Sequence, residues 1–72
     1  MSEVVLNVRP TEMGWRLESN LPLEPIYFRS GARIEAAARD MARRLSERGL
    51  DVQLVINDRA NQLIATRRYL AA

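Results

Sequence analysis

The longest regular pattern in this chain is an apolar stripe of helical period between Ser30 and Gly49. Six apolar residues fall on one face of a helix drawn through this stretch, and charged residues occupy the opposite face. The apolar set is Ile34, Ala37, Ala38, Met41, Ala42 and Leu45. This period predicts an amphipathic helix. Ser30 is a favourable N-cap, and Gly49 can take the positive φ of a C′ residue, with Leu50 packing back on the last turn.

Alternating apolar and polar positions predict five short strands around this helix. The predicted strands cover residues 4–9, 15–19, 26–29, 52–57 and 62–69. Their order with the helix is β-β-β-α-β-β, and the short connections favour antiparallel pairing. A single helix then covers one face of the sheet. The predicted fold class is therefore α+β, a two-layer domain spanning residues 1–72 with one helix packed on a mostly antiparallel sheet.

The inward-facing positions of these elements predict the core. From the strands they are Val4, Leu6, Val8, Trp15, Leu17, Ile26, Phe28, Leu54 and Ile56, and from the helix Ile34, Ala38, Met41 and Leu45. The facing of the fifth strand stays open, because a slip of one residue exchanges its two faces. One register points Leu63, Ala65, Arg67 and Tyr69 inward, and the other points Ile64, Thr66, Arg68 and Leu70 inward. We favour the first register.

Composition narrows the classes of function. The chain has 72 residues and contains neither cysteine nor histidine. Disulfides, thiolate zinc sites and the commonest nucleophile–base pairs are therefore ruled out. The apolar fraction of 47% is typical of a globular domain. No apolar run has the length of a membrane span, and the first residues do not have the pattern of a signal peptide. We expect a cytoplasmic, non-enzymatic protein with no cofactor, no metal and no membrane partner.

All 11 basic residues are arginine, although the net charge is only +2. A GC-rich genome explains this choice most simply, since arginine codons are rich in G and C. The alternative is selection for bidentate contacts with phosphate or carboxylate groups, which arginine makes better than lysine. No segment carries a dense basic run, so the electrostatic signature of nucleic-acid binding is weak.

Several motifs resemble a family of small uncharacterised bacterial domains, catalogued as domain of unknown function 2188. The matches are Gly14–Trp15 opening the second strand, Phe28 and Ser30 before the helix, the run Ala38–Ala42 within it, and Ile56, Asn57, Arg59, Leu63 and Tyr69 around the last hairpin. The chain departs from the family at Arg33 and Ile34, which replace a Glu-Ala pair, and at Asn61, which replaces a turn glycine. The resemblance covers most of the chain and implies no activity, because the family is uncharacterised.

The sheet face away from the helix is the candidate functional surface. It is predicted to show Val5, Asn7, Arg9, Arg16, Glu18, Tyr27, Arg29, Gln53 and Val55, with Arg68 in the favoured register. An ordinary solvated face is the simplest interpretation. The leading specific function is self-association as a homodimer, either through this open face or through a sheet edge. The sequence thus predicts a small interaction module.

Nucleic-acid binding is the alternative function for the same face. Three antiparallel strands followed by a helix are similar in layout to the arm-binding domains of phage integrases, which place sheet arginines in the DNA major groove. Under this hypothesis Arg16 and Arg29 contact bases or phosphates, while Arg9 and Arg68 position the protein. Together with Tyr27, these four arginines are the candidate contact residues for a nucleic acid or another partner.

Overall fold

The computed structural model describes residues 3–72, which form one helix and a five-stranded mixed sheet. The strands are β1 (Val4–Pro10), β2 (Trp15–Ser19), β3 (Ile26–Phe28), β4 (Val52–Asn57) and β5 (Leu63–Tyr69), and the helix is α1 (Gly31–Glu47). Their order across the sheet is β3-β2-β1-β4-β5. β1 and β4 run parallel, and the other neighbouring pairs are antiparallel. The predicted class, one helix on a mostly antiparallel sheet, is confirmed.

Both ends of α1 are closed as the sequence predicts. The Ser30 hydroxyl oxygen accepts a hydrogen bond of 3.2 Å from the backbone amide three residues later. At the other end Gly49 has a φ of +93°. Its amide donates to the Ser46 carbonyl at 3.0 Å, and the Leu50 amide donates to the Leu45 carbonyl at 3.1 Å. These two bonds form a Schellman motif, which satisfies carbonyls that the helix leaves free.

The core lies between α1 and the central strands. Its buried hydrophobic residues are Val4, Leu6, Val8, Leu17, Ile34, Ala38, Ala42, Val52, Leu54 and Ile56. The two helical alanines have small side chains, so the helix axis can lie close to the sheet. The predicted core position of Ile26 is wrong, because this residue is 44% exposed on the edge strand β3. Four other predicted core residues, Trp15, Phe28, Met41 and Leu45, are half-buried and pack at the rim.

The favoured register of β5 is correct for three of its four predicted inward residues. Ala65, Arg67 and Tyr69 pair with buried residues of β4 and so lie on the helix side. A β-bulge between Ile56 and Asn57 shifts the pairing, and Leu63 pairs with Asn57 on the outer face. The inward prediction for Leu63 is therefore wrong. A bulge adds one residue to one strand, and no pattern of alternation in the sequence reveals it.

Candidate functional site

The sheet places three of the five candidate contact residues in one row. Arg9 on β1 lies opposite Arg16 on β2, which lies opposite Tyr27 on β3. Arg29 follows β3 directly and is exposed. Arg68 lies apart on β5. It pairs with Gln53 on β4, which in turn pairs with Val5 on β1, and Val5 is four positions from Arg9. Four residues of strand span about 13 Å. Four of the five candidate contact residues therefore lie near one corner of the sheet, and Arg68 lies far from them.

Carboxylates pair with most of these arginines. Glu18 contacts both row arginines: Arg9 Nε lies 3.3 Å from Glu18 Oε1, and Arg16 Nε lies 3.2 Å from Glu18 Oε2. On β5, Arg68 Nη2 lies 2.7 Å from Glu3 Oε2. Glu18 offsets the repulsion between the two facing arginines and leaves the three groups with a net charge of 2 − 1 = +1. A phosphate would have to compete with these carboxylates for each guanidinium.

The remaining arginine of the set has a different environment. Among residues 3–72, no acidic side chain lies within ion-pair distance of Arg29. The neighbouring Tyr27 side chain is 64% exposed. An unpaired cation beside an exposed aromatic ring is a feature of surfaces that bind single-stranded nucleic acid. This corner of the sheet is small, however, and within residues 3–72 it offers only this one unpaired arginine and one exposed aromatic ring.

The sheet edge formed by β5 exposes three large aliphatic side chains. We call residues 63–70 the β5 edge. Leu63 and Ile64 are each 61% exposed, and Leu70 is 70% exposed. The chain beyond the strand is held in place, because the Ala71 amide donates to Asp51 Oδ1 at 2.9 Å. Among residues 3–72, no strand pairs with the outer side of this seven-residue strand, and apolar side chains lie at both of its ends.

The opposite edge of the sheet is poorly suited to pairing. β3 has only three residues, and Pro25 stands immediately before it. Proline has no amide proton to donate to another strand, and short edges with proline are a common protection against edge-to-edge association. The two edges of this sheet therefore differ in length and in hydrogen-bonding capacity.

A wide, open depression of about 610 Å³ runs along α1, with Met41, Arg44 and Leu45 among its lining residues. An apolar crevice of about 210 Å³ lies beside β3, with Leu23, Ile26 and Met41 among its lining residues. This is below the usual range of small-molecule sites, about 300–1,000 Å³. Within residues 3–72 no three acidic side chains gather as a metal site would require, and no helix is both long and apolar enough to cross a bilayer.

Sequence reasoning did not identify the β5 edge as a distinct surface. The signal it could have used is the adjacent pair Leu63 and Ile64, which cannot both face the core in a regular strand. The strand order, which places β5 at an edge of the sheet, was not readable from the pattern. Comparison with protein-family models, with curated proteins and with solved structures gave no match.

Proposed function

We propose that this protein is a small non-enzymatic interaction module that self-associates through the β5 edge. The observation that carries the proposal is the combination of a free seven-residue strand with apolar side chains that are 61–70% exposed at its ends. Free strand edges pair readily with other chains, and exposed apolar side chains are covered when they do.

The surface area of the chain supports association. A compact monomer of 8.2 kDa exposes about 4,500 Å² by the usual size scaling, whereas this chain exposes 5090 Å². A standard interface buries about 600–1,000 Å² of each partner, which is about 12–20% of this surface. Pairing one strand and covering three apolar side chains would bury an area at the low end of that range. An interface this small is best sought at protein concentrations from micromolar to near-millimolar.

Association through the edge is favoured over association through the outer face. The middle of that face contains polar groups, and the Asn57 side-chain amide donates to Asn7 Oδ1 at 2.8 Å and to the Val8 carbonyl at 3.0 Å. At one end lies the ion cluster around Glu18. A partner packed on this face would remove these groups from water, which costs free energy unless each regains a partner. Pairing at the edge leaves them solvated.

Nucleic-acid binding has weaker support. Its favourable observation is the unpaired Arg29 beside Tyr27. Against it, carboxylates already pair with Arg9, Arg16 and Arg68. We also retain the resemblance to domain of unknown function 2188 and a cytoplasmic location as parts of the proposal. At Gly14, a residue of the matching motif, a side chain would overlap the Phe28 carbonyl oxygen.

The test is the mass of the protein in solution as a function of concentration, measured by sedimentation equilibrium. The first variant replaces Leu63, Ile64 and Leu70 with threonine, which keeps β propensity and removes apolar surface. The matched control replaces three exposed apolar residues elsewhere, Met13, Leu23 and Tyr27, with threonine. We expect the wild type and the control to move from 8.2 kDa towards twice that mass as concentration rises, while the first variant stays at 8.2 kDa.

Two results would contradict the proposal. One is a wild-type protein that remains monomeric at near-millimolar concentration. The other is a dimer that the Met13, Leu23 and Tyr27 substitutions abolish and the β5 substitutions leave intact. The same samples, mixed with a DNA duplex at low salt, test the alternative. Nucleic-acid binding would appear as a complex that weakens steeply as salt is added.

A further inference from the structure

We propose a specific geometry for this association, which rests on the proposed function: β5 pairs antiparallel with β5 of a second copy, and Thr66 lies on the two-fold axis. Two identical strands that pair edge to edge in a closed dimer are related by an axis normal to the sheet. The two helices then lie on the same side of one continuous ten-stranded sheet. The occupant of the β5 edge is thus a second copy of this chain.

The length of β5 selects Thr66 for the axis. Thr66 is the midpoint of the strand Leu63–Tyr69, so an axis there lets all seven residues overlap. A shift by one residue in either direction leaves only five residues of each strand overlapping. The bulge lies near the start of β5, outside the central residues 65–67, so it leaves the strand regular around the axis.

The charges on β5 select the same register. With Thr66 on the axis, Arg67 lies opposite Ala65 of the second copy and Arg68 lies opposite Ile64 of the second copy. An axis on Arg67 would instead place that arginine opposite itself, and like charges directly across two strands are destabilising. Threonine facing threonine is a favourable cross-strand pair.

The arginines of β5 are held within their own subunit, which leaves the edge accessible. Arg68 pairs with Glu3 at 2.7 Å, and the Arg67 guanidinium carbon lies 5.6 Å from the centroid of the Tyr69 ring. Both contacts direct the charged groups along the faces of the strand. Edge arginines usually oppose association, and here their charges are already engaged by groups of the same chain.

The assembly closes at two copies. Once β5 is paired, the exposed edges of the ten-stranded sheet are both β3, with three residues each and Pro25 before them. Those edges do not offer a ladder long enough for further growth. The geometry therefore gives a dimer and no filament.

Single-cysteine cross-linking tests the register, since the chain has no cysteine of its own. Residues directly opposite in an antiparallel pair have Cα atoms about 4.5–5.5 Å apart, within the roughly 4.4–6.8 Å that a disulfide spans. Thr66→Cys should therefore form a covalent dimer under mild oxidation. The control is Val55→Cys, which pairs with Thr66 on the neighbouring strand. The two copies of residue 55 would be three strand spacings apart, about 14 Å, and should not cross-link.

The outcomes separate this inference from the proposed function. A covalent dimer from Thr66→Cys but not from Val55→Cys supports the register. Equal or faster cross-linking of Val55→Cys overturns it in favour of dimers packed through the outer face, and faster cross-linking of Ala65→Cys or Arg67→Cys moves the axis. If sedimentation shows a β5-dependent dimer that Thr66→Cys fails to cross-link, the register is wrong and the proposed function stands. If sedimentation shows a monomer, both are wrong.

Discussion

The guanidinium carbon of Arg59 lies 5.2 Å from the centroid of the Trp15 ring. The same side chain donates two hydrogen bonds to backbone carbonyls of the β1–β2 turn, from Nη1 to Gly14 at 2.6 Å and from Nη2 to Thr11 at 3.0 Å. Arg59 therefore ties the β4–β5 turn to a turn 45 positions earlier in the chain. It covers one face of a half-buried tryptophan that lies at the end of the core.

Replacing Arg59 with lysine tests this contact while keeping the charge. Lysine cannot hold two carbonyls at once in the geometry of a guanidinium fork. We expect a loss of about 1.5–3 kcal/mol in the free energy of unfolding, the usual contribution of hydrogen bonds from charged groups. Urea denaturation measures it. The matched control is Arg33→Lys, an exposed helical position, with an expected change within about 0.5 kcal/mol. Equal changes in both variants would show that the contact contributes nothing specific.

Gly14 and Gly49 should respond differently to substitution. At Gly14 a Cβ would overlap the Phe28 carbonyl oxygen, so any side chain forces the backbone to move. At Gly49 there is open space, but the φ of +93° is strained for alanine. We expect Gly14→Ala and Gly14→Asn both to destabilise the fold by about 1–3 kcal/mol.

Asparagine supplies the control for this comparison, because it tolerates positive φ better than alanine does. In thermal unfolding, Gly49→Asn should be more stable than Gly49→Ala, whereas no such rescue is expected at Gly14. Rescue at both positions would mean that Gly14 is needed for its backbone angles and not for the close approach of β3.

Much of the fold was predictable because local patterns determine it. The helix ends follow from Ser30 and Gly49, and the period-2 alternation locates all five strands within one residue of their observed bounds. The parts that failed depend on non-local relations. Ile26 is exposed because β3 is an edge, and Leu63 faces outward because a bulge in the β4–β5 pairing changes the facing. Strand order and bulges arise from tertiary packing, which hydrophobic alternation does not encode.

The candidate site was predictable in composition but not in electrostatics. The sequence correctly groups Arg9, Arg16 and Tyr27 on one face, yet the pairing of Arg9 with Glu18 depends on the register between β1 and β2. One carboxylate beside two arginines lowers the net charge of these three groups to +1. The charge count along the chain cannot distinguish paired from unpaired arginines.

Removing the Glu18 carboxylate should have little effect on stability. The three side chains in this cluster are 31–44% exposed, and ion pairs at such sites contribute about 0–1 kcal/mol. We expect the free energy of unfolding of Glu18→Gln, measured in urea, to differ from that of the wild type by no more than about 1 kcal/mol. The mass of the dimer should not change. The control is Glu12→Gln, an exposed carboxylate with no ion pair among residues 3–72.

The same cluster tests nucleic-acid binding. In fluorescence anisotropy at physiological salt, we expect no binding of a DNA duplex by the wild type and none by Arg16→Glu. Wild-type binding that Arg16→Glu abolishes, with a steep dependence on salt, would contradict our account of this face.

Amide hydrogen exchange at two protein concentrations tests the central claim, that the β5 edge pairs with a second copy, most directly. Alternate amides of an edge strand point away from the sheet and exchange freely until another strand binds them. We predict that every second amide of β5 gains protection between low micromolar and near-millimolar protein, while the amides of β3 do not change. Exchange in β5 that is independent of concentration, or protection that appears on β3 instead, would contradict the account.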